Sequence, residues 1–437
     1  MPAREGSIAV VGSGYVGTTL AACLADFGHE VSAIDIDASV VDTINAGKSP
    51  IREPGLDELL EQHAGGRLTA TTDHSALEEA SVTFLAVDTP ARSDGSLDAS
   101  ALLAATEDVG DVLADSEEDH LVVVKSTVLP DVVEEEIIPT LVESSGRTLG
   151  ETLDVAVNPE FLREGTAVSD LMNPDRIVIG AEHQSAGDRL ETVYEPLIED
   201  TGVPVFHTGR KEASLIKYAN NAFLATKLSF INDLGGLCKS YGVDTYEIAE
   251  GLGLDSRIDA RYLRAGVGWG GSCLPKDTAA LRWAGSDRGH PLSIVEAAIE
   301  VNERLPARLL SLLEEQVNVA DQRVAVLGLA FKPDTDDIRS SRSIPVIEGL
   351  LDLGAEVVAY DPDDGATESM QEVFPSITYA DSAAEALDGA IAACMLTAWD
   401  EFAQLDSEFD AMERPLVVDG RRVVEPRENI QYIGLSW

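Results

Sequence analysis

A chain of 437 residues with 44% hydrophobic content is long enough for two or three separate cores. Its 31 Lys+Arg against 78 Asp+Glu leave a formal charge of −47, which excludes a nucleic-acid-binding role. Four cysteines without a CxxC pair exclude a disulfide framework and a structural zinc site, the seven histidines stand in no metal-ligand spacing, and no apolar run reaches membrane-spanning length. With no signal-peptide pattern at its start, the chain reads as a soluble cytoplasmic protein without a membrane or metal partner.

The carboxylates are dispersed: Asp37, Glu53, Asp57, Glu58 and Glu61, then Glu117, Glu118 and Asp119, then Glu134 to Glu136. Dispersed charge of one sign repels itself in a compact state unless salt screens it, and at 1 M salt the Debye length is only ~3 Å. The expectation is a protein of a salt-accumulating cytoplasm that fails in dilute buffer. A surface built for a basic partner would gather its acids in a block.

Residues 7 to 12 form a short buried-strand run. Gly12-Ser-Gly14-Tyr15-Val16-Gly17 then opens an amphipathic helix to about Phe27, and Gly28 to Asp35 is a turn and a second strand ending in an acid. This is the dinucleotide fingerprint. Gly12 makes the tight turn, Gly14 lets the backbone approach a pyrophosphate, Gly17 lets helix and strand pack closely, and the helix N-terminus receives the phosphates. Asp35 would accept from a ribose hydroxyl, and no arginine follows it closely, so NAD is expected rather than NADP.

The α/β rhythm continues. A strand from Val82 to Val87 ends at Asp88-Thr89-Pro90, and one from Leu121 to Lys125 ends at Ser126-Thr127, placing small hydroxyl residues where open α/β sheets bind ligands. The loop from Ala91 to Ser100 is polar and expected to be exposed. A strand from Asp154 runs into Asn158-Pro159-Glu160, and shorter strands are expected over 175–180 and 204–207. From about Arg210 to Ser240, apolar residues recur at helical spacing without Gly or Pro before Gly235, predicting a helix that links domains or forms a dimer face. Lys217 and Asn221, four residues apart, would share one face of it.

Residues 264 to 281 organise the chain. Gly266, Gly268, Gly270 and Gly271 let the backbone bend sharply and approach a ligand; Cys273 follows, and Pro275 suits a first helical turn. A free cysteine is ordinarily a small core hydrophobe, the expectation for Cys23, Cys238 and Cys394. Cys273 stands instead beside glycines and charges near a helix N-terminus, where a thiolate is favoured.

Residues 323 to 361 repeat the opening. Val324 to Gly328 matches Ala9 to Gly12, and Leu353 to Asp361 matches Phe27 to Asp35, with about ten residues inserted. The second copy has lost the glycine turn and gained Lys332 and Arg339, pointing to a different phosphate-bearing ligand held by side chains. The fold class is therefore α/β, with two Rossmann-like doubly wound domains joined by a long central helix. The expected domains are 1–205 for NAD, 206–305 for dimerisation and the cysteine loop, and 306–437 for a nucleotide sugar. A cysteine beside NAD suggests aldehyde oxidation through a thiohemiacetal and a thioester, with Lys217 steadying an oxyanion and Asp277 handling a proton or water.

Five motifs in order, GSGYVG (12–17), NPEFLREGTA (158–167), LIKYANNAFLATKLSFINDL (215–234), GVGWGGSCLPKD (266–277) and GLAFKPDTDDIRSS (328–341), resemble the UDP-glucose/GDP-mannose dehydrogenase family over nearly the whole chain. The resemblance implies a four-electron oxidation of a nucleotide-sugar primary alcohol to a uronic acid with two NAD+ and one water. It implies Cys273 as nucleophile, supported by Lys217, Asn221 and Asp277, with Glu160 as acid/base and Thr127 beside a catalytic water. Around the cofactor it implies Tyr15, Val16, Thr89, Pro90, Ser126, Glu164 and Arg339. Around the sugar nucleotide it implies Phe161, Leu162, Arg163 and Arg257, the loop from Arg264 through Gly268 and Trp269 to Gly270, and Phe331, Lys332 and Arg421. A homodimer is implied, with Arg257 reaching the neighbouring subunit's site.

Trp269 stands where the family usually has Phe or Tyr, and Asp88 where a small residue is common, which sets a carboxylate near the cofactor phosphates. The segment Asp255-Ser-Arg257-Ile258 leans toward UDP-glucose as substrate. The alternatives are GDP-mannose or another nucleotide hexose, or a one-step β-hydroxyacid-type oxidation in which the cysteine is incidental.

Overall fold

The computed structural model describes residues 7–116 and 118–437; Glu117 and the first six residues of the expected NAD domain lie outside them. The chain divides into two compact units, 1–219 and 220–437, and the division falls inside a 32-residue helix, Arg210–Tyr241. At 1.5 Å per residue that helix is ~48 Å long. No helix among the described residues is long and apolar enough to cross a membrane.

The first unit is built on an eight-stranded sheet. Its strands are β1 (Ser7–Val11), β2 (Val31–Ile34), β3 (Leu68–Thr71), β4 (Ala80–Leu85), β5 (His120–Val124), β6 (Leu153–Val157), β7 (Ile177–Ala181) and β8 (Val205–Thr208). Their spatial order is β3-β2-β1-β4-β5-β6-β7-β8. The first six are parallel; β7 runs antiparallel to β6, and β8 runs parallel to β7. The order reverses between β1 and β4, the switch point where ligands enter such sheets. Central strands are covered on both faces, which is why β1 and β5 read as continuous apolar runs: Ala9, Val10, Val122 and Val123 are fully buried.

The second unit repeats the plan. Its strands are β9 (Arg323–Leu327), β10 (Glu356–Tyr360), β11 (Thr378–Tyr379), β12 (Ala392–Met395), β13 (Leu416–Asp419) and β14 (Gln431–Gly434). They form one parallel sheet in the order β11-β10-β9-β12-β13-β14. The internal repeat read from the sequence is thus a structural one: β1 and β9 hold the same central place. Separate apolar clusters fill its two faces, one around Val324, Val326, Ile347 and Leu416, the other around Ala325, Phe402, Phe409 and Val417.

The fold class agrees with the expectation, and strand limits differ from it by a residue or two. One local expectation fails. The loop from Ala91 to Ser100 is exposed over 91–94 and at Ser100, while Ser96, Leu97 and Ala99 are buried. Arg92 donates to the Leu97 carbonyl at 2.7 Å, and Asp94 accepts from the backbone and hydroxyl of Ser96, so a polar sequence folds back on itself.

Two glycines of the first turn are dictated by space. Gly12 has φ +92°, and a Cβ there would lie 2.7 Å from the Ala86 carbonyl oxygen beyond β4. A Cβ on Gly17 would lie 1.8 Å from the Gly12 carbonyl oxygen. Both contacts are backbone and cannot yield without separating helix from sheet. Gly17→Ala is therefore expected to destabilise the first unit by roughly 2–4 kcal/mol, within the range for overpacked cores and strained backbone. Urea denaturation should show the loss, and a midpoint equal to wild type would refute this account of the turn.

Candidate active site

In the first unit, polar groups gather at the carboxyl ends of β1, β4, β5 and β6. The helix Tyr15–Asp26 begins at Gly14 with no side chain capping it, and a Cβ added to Gly14 would meet only the Asp88 carboxylate, at 3.8 Å. An open glycine and an uncapped helix start fit the pyrophosphate of NAD. Asp35 shapes the turn from below: it accepts from Ser13 N at 2.6 Å and Asp37 N at 2.9 Å. Asp88 is exposed, so water and salt screen the carboxylate that faces the turn. Ser126 donates to the Val87 carbonyl at 2.6 Å, and Thr89 donates to the Thr127 carbonyl at 2.9 Å, lacing together the loops after β4 and β5.

The segment after β6 carries the strongest electrostatics. Glu160, buried to 8% exposure, accepts from Lys217 at 2.6 Å through one oxygen and from Leu162 N at 2.5 Å through the other. Burial alone would raise this carboxyl group, but Lys217, the Leu162 N–H and Lys125 outweigh it and hold Glu160 below the ordinary carboxylate range. Phe161 lies under two cations, with the Arg176 guanidinium 4.0 Å and the Lys217 ammonium 5.7 Å from its ring centre.

The sequence reading missed Glu53, which ties this segment to the glycine turn. Glu53 is 6% exposed; it accepts from Gly165 N at 2.8 Å and Ala167 N at 2.7 Å, and the Tyr15 hydroxyl donates to it. Burial first, and the Glu53 contact second, push the Tyr15 hydroxyl far above its ordinary value, so Tyr15 stays protonated and can serve as this donor. In sequence Glu53 is one acid among many, and only its burial separates it from them.

In the second unit, the helix Leu274–Asp287 starts directly after Cys273, with Pro275 in its first turn. Cys23, Cys238 and Cys394 are buried as expected, while Cys273 is half-exposed, with the Ser272 hydroxyl 3.5 Å from its sulfur. Asp277, 1% exposed, accepts from Asn221 at 2.6 Å and from Lys276 at 2.7 Å. Its backbone N–H reaches the Cys273 carbonyl at 2.9 Å. The helix thus places a held carboxylate one turn from the thiol.

The glycine loop is buried and fixed by Arg421 and by three residues the sequence did not single out, Asn302, Asn232 and Ser229. Asn302 accepts from Trp269 N at 2.8 Å and donates to Trp269 O at 3.0 Å; Asn232 accepts from Gly266 N at 2.7 Å. The Trp269 indole donates to Ser229 at 3.0 Å, so the aromatic exchange at this position is anchored by a hydrogen bond. Arg421 donates to the Gly268 carbonyl at 2.8 Å and to Leu396 O at 2.7 Å. Burial lowers Arg421 to about 10, still cationic at neutral pH. Gly271 has φ +85° and lies flat on Phe331, whose ring would be 2.7 Å from any Cβ there. The Lys332 ammonium lies 5.6 Å from the same ring centre. Arg163, Arg257, Arg264 and Arg339 are exposed. Arg163 is held by Asp170, Arg257 by Asp255 and Arg339 by Asp337.

The second Rossmann turn has spent its acid. Asp361, the counterpart of Asp35, is 2% exposed and accepts from Leu329 N, Ala330 N, Asp363 N and the Trp399 indole. Burial raises it to about 6. A carboxylate bound to the turn amides leaves them no room for a dinucleotide phosphate, which explains why this copy keeps the first glycine, Gly328, and can dispense with the other two.

Residues 6–198, 211–304 and 325–426 match, in order, the NAD binding, central and UDP binding domains of the UDP-glucose/GDP-mannose dehydrogenase family. The chain is 53% identical over 429 residues to the UDP-glucose 6-dehydrogenase AglM of Haloferax volcanii, covering 98% of this chain and 99% of that one. It is 38% identical over 428 residues to the UDP-glucose 6-dehydrogenase TuaD of Bacillus subtilis, covering 96% and 90%. A UDP-glucose dehydrogenase structure from Pyrobaculum islandicum superposes with a TM-score of 0.91 at 40% identity, covering 100% of this chain and 99% of that one. With its NAD-binding turn, its held cysteine and matches spanning nearly its full length, the chain belongs to the UDP-glucose/GDP-mannose dehydrogenase family.

Proposed function

We propose that this chain is a UDP-glucose 6-dehydrogenase, oxidising the C6 alcohol of UDP-glucose through the aldehyde to UDP-glucuronate with two NAD+ and one water. The observation that carries it is Cys273: alone among four cysteines it is half-exposed, and it sits at a helix start with Asp277 one turn on. NAD, when bound, supplies the hydride acceptor for both oxidations. Glu160 takes the proton of the C6 hydroxyl in the first step, and Lys217 steadies the oxygen as its charge develops. The Cys273 sulfur then bonds to the aldehyde carbon, giving a thiohemiacetal. Loss of hydride from that carbon and of the hydroxyl proton leaves a thioester. Asp277, kept in place by Asn221, and Thr127 position the water that adds to the acyl carbon. The carbon–sulfur bond breaks, the carboxylate departs and the thiol is restored.

The family's three-part pattern supports domains at 1–205, 206–305 and 306–437. Phe161, Leu162, the 264–270 loop, Phe331, Lys332 and Arg421 take the nucleotide sugar. Tyr15, Val16, Thr89, Pro90, Ser126, Glu164 and Arg339 take the cofactor. The setting is a cytoplasm rich in salt, and the active form is a homodimer in which Arg257 serves the neighbouring subunit. The long helix supports the dimer: Phe223, Phe230 and Leu237 recur every seven residues and are 66%, 56% and 54% exposed, an apolar row of the kind that marks an interaction surface.

In high salt, UDP-glucose should yield two NADH per sugar. Cys273→Ser should cut turnover to the uronate by on the order of 10³-fold. Release of NADH from GDP-mannose but not from UDP-glucose would move the substrate assignment, and full turnover by Cys273→Ser would favour the one-step chemistry. Dialysis from about 2 M to about 0.1 M KCl lengthens the Debye length to ~10 Å and should abolish both activity and the folded circular-dichroism signal; retention of both would remove the case for a salt-adapted surface. Light scattering should give twice the 46.5 kDa chain mass, and Phe230→Glu should halve it. A monomeric wild type would end the dimer reading.

A further inference from the structure

Lys125 follows β5 and is 6% exposed, buried as deeply as the groups already assigned to chemistry, yet none of those assignments uses it. Its ammonium donates to Asn158 Oδ1 at 2.8 Å and to the Tyr194 hydroxyl at 3.5 Å, and lies 5.9 Å from the Tyr194 ring centre. Tyr194 donates to the same Asn158 oxygen at 2.7 Å. The Asn158 amide donates to Val178 O at 2.8 Å, and its backbone N–H reaches Val124 O at 2.9 Å. Asn158 therefore cannot turn over, and it stands two residues before Glu160.

Both direct partners of Lys125 are neutral. An ammonium taken out of water into neutral surroundings is strongly disfavoured unless a counter-charge is near. Glu160 supplies it, and Lys217 opposes it. Among the described residues, other charged or titratable groups near this cluster include Arg176, stacked on Phe161, Cys23, on the first helix and acting on Tyr194, and His29, whose ring nitrogen lies 2.9 Å from the Val193 carbonyl. One carboxylate is thus shared by two buried ammonium groups, Lys217 in contact and Lys125 through the Asn158 turn.

We propose that Lys125 is a positioning residue for the oxidation: it locks the Asn158-Pro159-Glu160 turn to the end of β5 and supplies the second positive charge that keeps Glu160 ionised and able to accept a proton. This rests on the reading of Glu160 as the acid/base group. With Lys125 neutralised, Lys217 and the Leu162 N–H must offset the burial of Glu160 without it. The carboxylate loses attraction, and its protonation moves to higher pH.

The test is Lys125→Met, which keeps the length and apolar stem and leaves Asn158 its bond to Tyr194, with Lys125→Arg as the charge-preserving control. Both are compared with wild type in the same high-salt buffer, first for thermal unfolding. Glu160 is then titrated directly in the substrate-free enzyme by NMR of side-chain 13C-labelled glutamate, assigned with Glu160→Gln. Lys125→Met should raise the Glu160 midpoint by about one pH unit, and Lys125→Arg should leave it within a few tenths. In kcat/KM for UDP-glucose, the acid limb should move by the same amount, a tenfold loss on the acid side that vanishes on the plateau. An unmoved Glu160 midpoint in a folded Lys125→Met protein, or an activity loss equal at every pH, would overturn the proposal. A shifted midpoint with an unshifted acid limb would support the placement of Lys125 and count against Glu160 as the acid/base group. If Lys125→Met does not fold, Tyr194→Phe, which removes one neutral partner and leaves the charges, should leave the Glu160 midpoint in place; a full-unit shift there would overturn the charge argument.

Discussion

The buried pair between Glu160 and Lys217 is the constraint around which the first unit is arranged. A carboxylate at 8% exposure is tolerable only where cations and N–H donors replace its water, and removing one partner of such a pair costs roughly 3–5 kcal/mol. The loops after two strands and the long helix contribute to that replacement: Lys125 after β5, Leu162 N–H after β6, and Lys217 from the helix Arg210–Tyr241. The same groups that make the charge affordable are aimed at the carboxyl ends of the strands, where a ligand enters an open sheet. Stability and chemistry draw on the same contacts here.

Two copies of one turn show how small changes redirect a fold. In the first, Gly12 and Gly17 keep backbone clear of side chains, and Asp35 holds the turn at Ser13 while remaining half-exposed. In the second, Asp361 sinks to 2% exposure and satisfies the turn amides itself, with the Trp399 indole as a further donor. The strand order and the tight first glycine are kept: Gly328 has φ +98° against +92° at Gly12. What differs is whether the turn donors are left open for a ligand or consumed internally.

The acidic surface makes the few buried cations more consequential. With 78 acids against 31 bases, the long-range field disfavours anionic substrates such as NAD and a sugar nucleotide. Local cations must therefore act at short range, where salt does not screen them. Lys217 at 3% exposure and the half-buried Arg421, held against the Leu396 and Gly268 carbonyls, are of this kind. Arg257 and Arg339, at 86% and 65%, are each held by a neighbouring aspartate.

The sequence alone determined the α/β class, the repeat of the Rossmann plan, the long helix and the singular character of Cys273, because each is written in local periodicity, glycine spacing or immediate neighbours. Cys273 is told from the apolar company of Cys23 and Cys394 by the glycines before it and by Pro275, Lys276 and Asp277 after it. Tertiary structure alone decided which polar residues matter among many alike. Glu53, Asn232, Asn302 and Lys125 sit in ordinary sequence surroundings, and their partners lie 33 to 114 residues away. A hydrogen bond between such distant residues depends on where the sheet brings them, and burial in three dimensions, unlike helical or strand periodicity, leaves no mark on an acid, an amide or a lysine read in isolation.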